Sequence, residues 1–168
     1  MPEEPHDHAA GKAPPEPEFT LMLIADAATE LGKLPGYLFL LLGVAAADPG
    51  LALRALGLLA AGECLCLGLK QVFRVERPVT GTEEARPASR FAANAGYSFP
   101  SCHALNGAAT LGFLATQTGN SVVAMLLALL LGVIVLSRLV LRHHRPIDVV
   151  AGLALGTGLQ MGAVAAGW

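Results

Sequence analysis

The feature that most limits how this chain can fold is residues 122–141, twenty positions that are apolar except for Ser137 and Arg138 near the end. About twenty apolar residues is what a helix needs to cross the hydrocarbon of a bilayer. Further apolar runs occupy 34–47, 51–69, 104–118 and 147–166. Composition agrees: 54% of the chain is hydrophobic and 14% charged, whereas about a quarter of a soluble domain is charged. These runs predict an all-α transmembrane bundle of about five spans, forming one membrane-embedded domain over 19–168. Residues 19–31, interrupted by Asp26 and Glu30, suit an amphipathic helix at the interface. Residues 1–18 are rich in Pro, Glu and His and read as a disordered tail. Its His6-Asp7-His8 offers at most weak metal binding, and it lacks the pattern of a secretory signal.

Polar residues inside such a chain are costly, so their positions are informative. Eight of the eleven Lys and Arg fall within 70–90 and 138–145. Glu63, inside a predicted span, reads as a packing carboxylate bonded between helices, with a functional role as the alternative. Gly152/Gly156 and Gly158/Gly162 have the four-residue spacing that lets membrane helices approach closely. Cys64 and Cys66 read as small buried hydrophobes, with no disulfide framework and no zinc-type spacing.

Counting crossings brings the polar clusters to one face. If 51–69 arrives there, the long connection 70–102 lies there, 104–118 leaves, and 122–141 returns. Lys70, Arg77, Ser101, His103, Arg138, His144 and Asp148 then converge. Guanidinium forks match phosphate oxygens, so Arg77 and Arg138 with Lys70 point to a phosphorylated headgroup. Arg74, Arg86, Arg90, Arg142 and Arg145 read instead as interface anchors. Ser101 precedes an apolar helix as a plausible N-cap, beside free first-turn amides that favour anions. His103 is placed to give a proton to a leaving oxygen. His144 and Asp148 are four apart, so that a carboxylate on one imidazole nitrogen frees the other to attack phosphorus.

These residues resemble the three-block signature of the type 2 phosphatidic acid phosphatase superfamily. The first block, a lysine, six residues and Arg-Pro, is matched by Lys70 and Arg77-Pro78. The second, Pro-Ser-Gly-His, is matched at Pro100, Ser101 and His103, with Cys102 in place of glycine. The third, Ser-Arg, five residues, His, three residues and Asp, is matched at Ser137, Arg138, His144 and Asp148, and selects His144 over His143. The resemblance implies that His144 becomes a phosphohistidine, Asp148 orients it, and His103 protonates the leaving group. Lys70, Arg77, Ser101, Cys102 and Arg138 would bind the phosphoryl oxygens, with no metal, cofactor or nucleic acid involved.

The implied substrate is a phosphorylated lipid in the bilayer: first a polyprenyl phosphate, diphosphate or phosphosugar, with phosphatidic acid or phosphatidylglycerol phosphate as alternatives. An inactive lipid-binding relative and a phosphotransferase are readings of another class. Cys102 adds a side chain near phosphate, which implies less room for a bulky headgroup. Members usually have six spans, and the first is absent here. The implied location is the cell membrane, multi-pass. The positive-inside rule puts the polar face in the cytoplasm. Oligomeric state has no signature in the sequence.

Overall fold

Helix boundaries in this chain are set by a few polar and proline residues between apolar runs. Asp48 closes one helix and opens the next: its carboxylate accepts from Leu51 N at 2.9 Å, and Pro49 sits in the first turn, where no backbone donor is needed. Asn120 caps another helix by accepting from Val122 N and Val123 N at 2.9 and 3.3 Å. Pro146 opens the last one, with the Asp148 carboxylate accepting from Arg145 N at 2.9 Å.

The computed structural model describes residues 16–78 and 96–168; the tail with His6-Asp7-His8 and the stretch containing Arg86 and Arg90 lie outside the described residues. Among the described residues there are six helices: α1 Glu16–Leu31, α2 Leu34–Ala47, α3 Pro49–Phe73, α4 Cys102–Gln117, α5 Ser121–Val140 and α6 Pro146–Ala165. Residues 16–18, expected in the tail, instead form the first turn of α1.

α4 is the axis of the bundle, packed against α3, α5 and α6, while α1 packs on α5 and α2 on α3. The core gathers Leu58 and Leu59 of α3, Leu111 and Phe113 of α4, Ile134 of α5, and Tyr37 and Leu41 of α2. Outward-facing Met125, Leu126, Leu129 and Leu136 of α5 remain more than half exposed, as a helix surrounded by lipid requires.

Not every expected span has the length of a lone membrane-crossing helix among the described residues. α3, α5 and α6 are long and apolar enough to cross a membrane, and the pair 19–31 and 34–47, bent by 60°, adds a fourth if counted as one span. α4, read from sequence as a span, has 16 residues. At 1.5 Å per residue it reaches about 24 Å, short of the roughly 30 Å hydrocarbon core. It nevertheless runs from the end that holds Ser101 to the end where α5 begins, and α5 crosses back to Arg138, so α4 crosses as well, surrounded by α3, α5 and α6 rather than lipid.

The cysteine reading is overturned. Cys66 of α3 and Cys102 at the start of α4 form a disulfide, with Cα atoms 5.6 Å apart, and Cys64 is exposed rather than buried. Pairing was hidden because the partners are 36 residues apart and only the α3–α4 contact brings them together.

One of the two glycine pairs does close an interface. A Cβ on Gly156 would lie 2.2 Å from Leu105 O, and one on Gly152 would lie 2.5 Å from Ser101 O. Gly158 and Gly162 face open space. Gly156→Ala should therefore force α4 and α6 apart and cost about 1–3 kcal/mol. Gly158→Ala should leave thermal unfolding in detergent unchanged, and equal melting temperatures for the two variants would contradict this packing.

Candidate active site

Three signature blocks meet at one end of the bundle because the helix ends there are tied to one another. Ser101 N donates to Asp148 O at 3.0 Å, joining the start of α4 to the first turn of α6. The Cys66–Cys102 disulfide joins the same turn of α4 to α3, one turn before Lys70. Arg138 Nη1 donates to Thr29 Oγ1 at 3.0 Å, and Thr29 Oγ1 lies 3.1 Å from Ser137 Oγ, joining α5 to α1. Glu76 and Tyr97 form an isolated antiparallel bridge, and Ser98 N donates to Val75 O at 2.7 Å. That bridge brings Arg77 beside the other blocks.

Lys70, Arg138, Ser101, His144 and Asp148 are all buried. Lys70 Nζ donates to Tyr97 O. Ser101 occupies the N-cap position of α4, but its side chain makes no capping bond, and its buried Oγ has no partner among the described residues. The first intrahelical bond of α4 runs from Leu105 N to Ser101 O. The amides of Cys102, His103 and Ala104 therefore come before the ladder and are open to an anion. Cys102 has only its amide to offer an anion, because its sulfur is committed to Cys66. Neither it nor any other α4 residue has a left-handed backbone, so glycine is not required by conformation there.

His144 is reached by the turn after α5, where Arg142 adopts φ 53 and reverses the chain. His144 Nδ1 lies 3.7 Å from Asp148 Oδ2. That is longer than a hydrogen bond, and the same carboxylate oxygen accepts from Arg145 N. His143 is half-buried, and Arg74, Arg142 and Arg145 are exposed, as interface anchors would be.

Burial pushes the His144 imidazole far below its ordinary range, and the positive charges of Arg138, Arg77 and Lys70 push the same way. His103 also acts on it electrostatically, so all three blocks lie within reach of this ring. The imidazole is neutral near pH 7 and holds a free lone pair. Around it stand Lys70, Arg77 and Arg138 in a largely dry setting, with Asp148 acting on Lys70 and Arg77, Glu63 also on Lys70, and Asp26 and Glu30 on Arg138. Three cationic side chains converging on one neutral imidazole suit a phosphate monoester, whose charge is about −1.5 to −2.

His103 Nε2 is buried without a partner among the described residues, and its Cδ2 would meet a Cβ on Gly32 at 2.7 Å. The turn between α1 and α2 thus walls the imidazole. Thr29 and the Tyr97 carbonyl escaped sequence reasoning, since neither belongs to a block and both act only through the fold. Asn106 could have been found: it follows His103 by three residues, so a helix puts both on one face.

Residues 51–167 match the sequence model of the PAP2 superfamily, a stretch that contains all three blocks. No curated protein matches the chain. A crystal structure titled the first transmembrane PAP2 type phosphatidylglycerolphosphate phosphatase from Bacillus subtilis superposes with a TM-score of 0.70 at 21% identity, covering 88% of this chain and 77% of that one. That likeness is one of fold, while the family match covers well over half of the sequence. With the helical membrane architecture and the ordered blocks, it establishes that this chain belongs to the PAP2 superfamily, the type 2 phosphatidic acid phosphatases.

Proposed function

We propose that the protein removes a phosphate from a membrane lipid through a phosphohistidine at His144. The observation that carries this reading is a neutral, buried imidazole on which Arg138, Arg77 and Lys70 converge. His144 Nε2, the nitrogen away from Asp148, attacks phosphorus and forms the P–N bond as the P–O bond to the lipid breaks. His103 gives its proton to the departing oxygen; a bound phosphate dianion favours the protonated imidazole needed for this. Water then attacks phosphorus, His103 takes back a proton, and phosphate leaves with His144 restored. Lys70, Arg77, Arg138, Ser101 Oγ and the first amides of α4 stabilise the charge on the phosphoryl oxygens. Asp148 is a positioning residue, and its contact to His144 shortens when substrate is bound. No metal takes part in any step.

The lipid class follows from what receives the leaving group. The family resemblance favours polyprenyl carriers first, and the solved structure with this fold is titled a phosphatidylglycerolphosphate phosphatase. Polar residues beside His103 favour a glycerol-based lipid, as developed below.

The Cys66–Cys102 disulfide supports a second point. Thiols facing the cytoplasm are kept reduced, so this link favours placing the site on the outer side of the cell membrane, against the positive-inside reading. Lys70, Arg77 and Arg138 are needed for phosphate and do not report orientation. In a Cys64→Ser background, Arg145→Cys should react with a membrane-impermeant thiol reagent on intact cells. Labelling only after lysis would contradict an outward site.

With radiolabelled lipid phosphate, a quenched reaction should yield acid-labile, alkali-stable phosphoprotein. His144→Ala should abolish it and lower turnover by about 10³-fold or more, with insertion and melting temperature retained. His103→Ala should lower turnover about 10²- to 10⁴-fold. Chelators should have no effect. Undiminished turnover in His144→Ala would contradict the mechanism.

A pH test follows from the sign of the His144 shift. Its folded value lies below the unfolded one of about 6.5, so below that pH the unfolded chain binds more protons and stability falls with acidity. The slope from one group reaches at most about 1.4 kcal/mol per pH unit. His144→Gln should flatten the decline in melting temperature between pH 7 and pH 5, and an unchanged slope would contradict a buried neutral ring.

A further inference from the structure

A cavity of about 460 Å³ lies between α2, α3 and α4, lined by Tyr37, Leu56, Leu59, Glu63, His103 and Asn106 among others. His103 is part of its wall, whereas His144, Lys70, Arg77 and Arg138 are not. In an in-line displacement the leaving group departs opposite the nucleophile, toward the proton donor. The cavity is therefore on the leaving-group side, where the lipid body must lie. Its leucines suit hydrocarbon.

Its polar residues do not. Glu63 sits two turns before Lys70 on the same face of α3, roughly 10 Å along the helix from it. Asn106 sits one turn past His103 on α4. Asn106 Nδ2 donates to Glu63 Oε2 at 2.5 Å. A carboxylate only accepts, which fixes the orientation of this amide. Among the described residues, Asn106 engages one of the two Glu63 oxygens and nothing engages the other. Glu63 is half-buried, so that oxygen is not sealed inside the interface.

The hydroxyl of Tyr37, a residue only 2% exposed, has no partner among the described residues. A Cβ on Gly107 would lie 3.3 Å from it, which puts the hydroxyl beside the turn that carries Asn106. A tie between α3 and α4 would be served by a neutral amide. Keeping a carboxylate with one oxygen unengaged, at membrane depth, is costly unless a ligand supplies a donor.

We propose that Glu63, held by Asn106 and aided by Tyr37, is a specificity-determining residue that accepts a hydrogen bond from a free hydroxyl on the leaving group. The substrate class is a lipid phosphate whose phosphorylated carbon neighbours a hydroxyl-bearing carbon, as in a glycerol-based headgroup. A bare prenyl chain offers no donor. This inference rests on the lipid phosphatase reading and deepens it.

The test compares 1-oleoyl lysophosphatidic acid with its 2-deoxy analogue, identical except for the hydroxyl, using the full-length protein in mixed micelles. Wild type should prefer the hydroxyl lipid by about 10- to 100-fold in kcat/KM, the range of one hydrogen bond to a charged acceptor. Glu63→Leu should remove most of that preference, and Glu63→Gln, which keeps an acceptor oxygen, should retain part of it. Equal turnover of the two lipids by active wild type would overturn this inference alone and needs no variant. A Glu63→Leu protein that loses activity on both lipids by the same factor would mark a structural tie and also overturn it. Phosphate release from neither lipid, nor from phosphatidic acid or farnesyl phosphate, would overturn the functional reading beneath it.

Discussion

The amide of Ser101 donating to the carbonyl of Asp148 is the contact on which the site depends. It sets the start of α4 against the start of α6, so the turn that offers free amides and the turn that offers His144 share one pocket. Two glycines permit it, because side chains at 152 and 156 would occupy space held by the backbone of α4. The disulfide adds α3 to the same point, and Thr29 adds α1 and α5. Helices with no polar reason to converge in a bilayer are fastened at one end.

That fastening allows an arrangement that would otherwise be unfavourable. Burying a cation away from water costs several kcal/mol unless it is paired, and Lys70 and Arg138 are both buried, with Asp148 and Glu63 acting on Lys70 and Asp26 and Glu30 on Arg138. Under the proposed mechanism the protein holds this charge in advance, so an entering phosphate meets oriented donors and little reorganisation is needed. The same field keeps His144 unprotonated. In that mechanism one electrostatic design serves both binding and nucleophilicity.

Much of this was legible in the sequence. The apolar runs announced a helical membrane bundle, and the spacing Arg138, His144, Asp148 singled out the buried His144 over the half-buried His143. The reading of Glu63 as an interhelical carboxylate agrees with its bond to Asn106. Hydrophobicity could not separate a helix packed by protein from one bathed in lipid, so the central place of α4 in the bundle was not legible. The Cys66–Cys102 link and the Thr29–Arg138 bond depend on which helices touch, and periodicity carries no such information. The two glycine pairs look alike in sequence, yet only Gly152 and Gly156 face α4.

The most direct measurement of the central claim is a structure with orthovanadate bound. Vanadium should bond to His144 Nε2, with equatorial oxygens on Lys70, Arg77 and Arg138 and the apical oxygen on His103, facing the cavity lined by Glu63. Vanadate bound elsewhere, or in this pocket with the imidazoles of His103 and His144 on the same side of vanadium, would contradict the in-line transfer on which the whole reading stands.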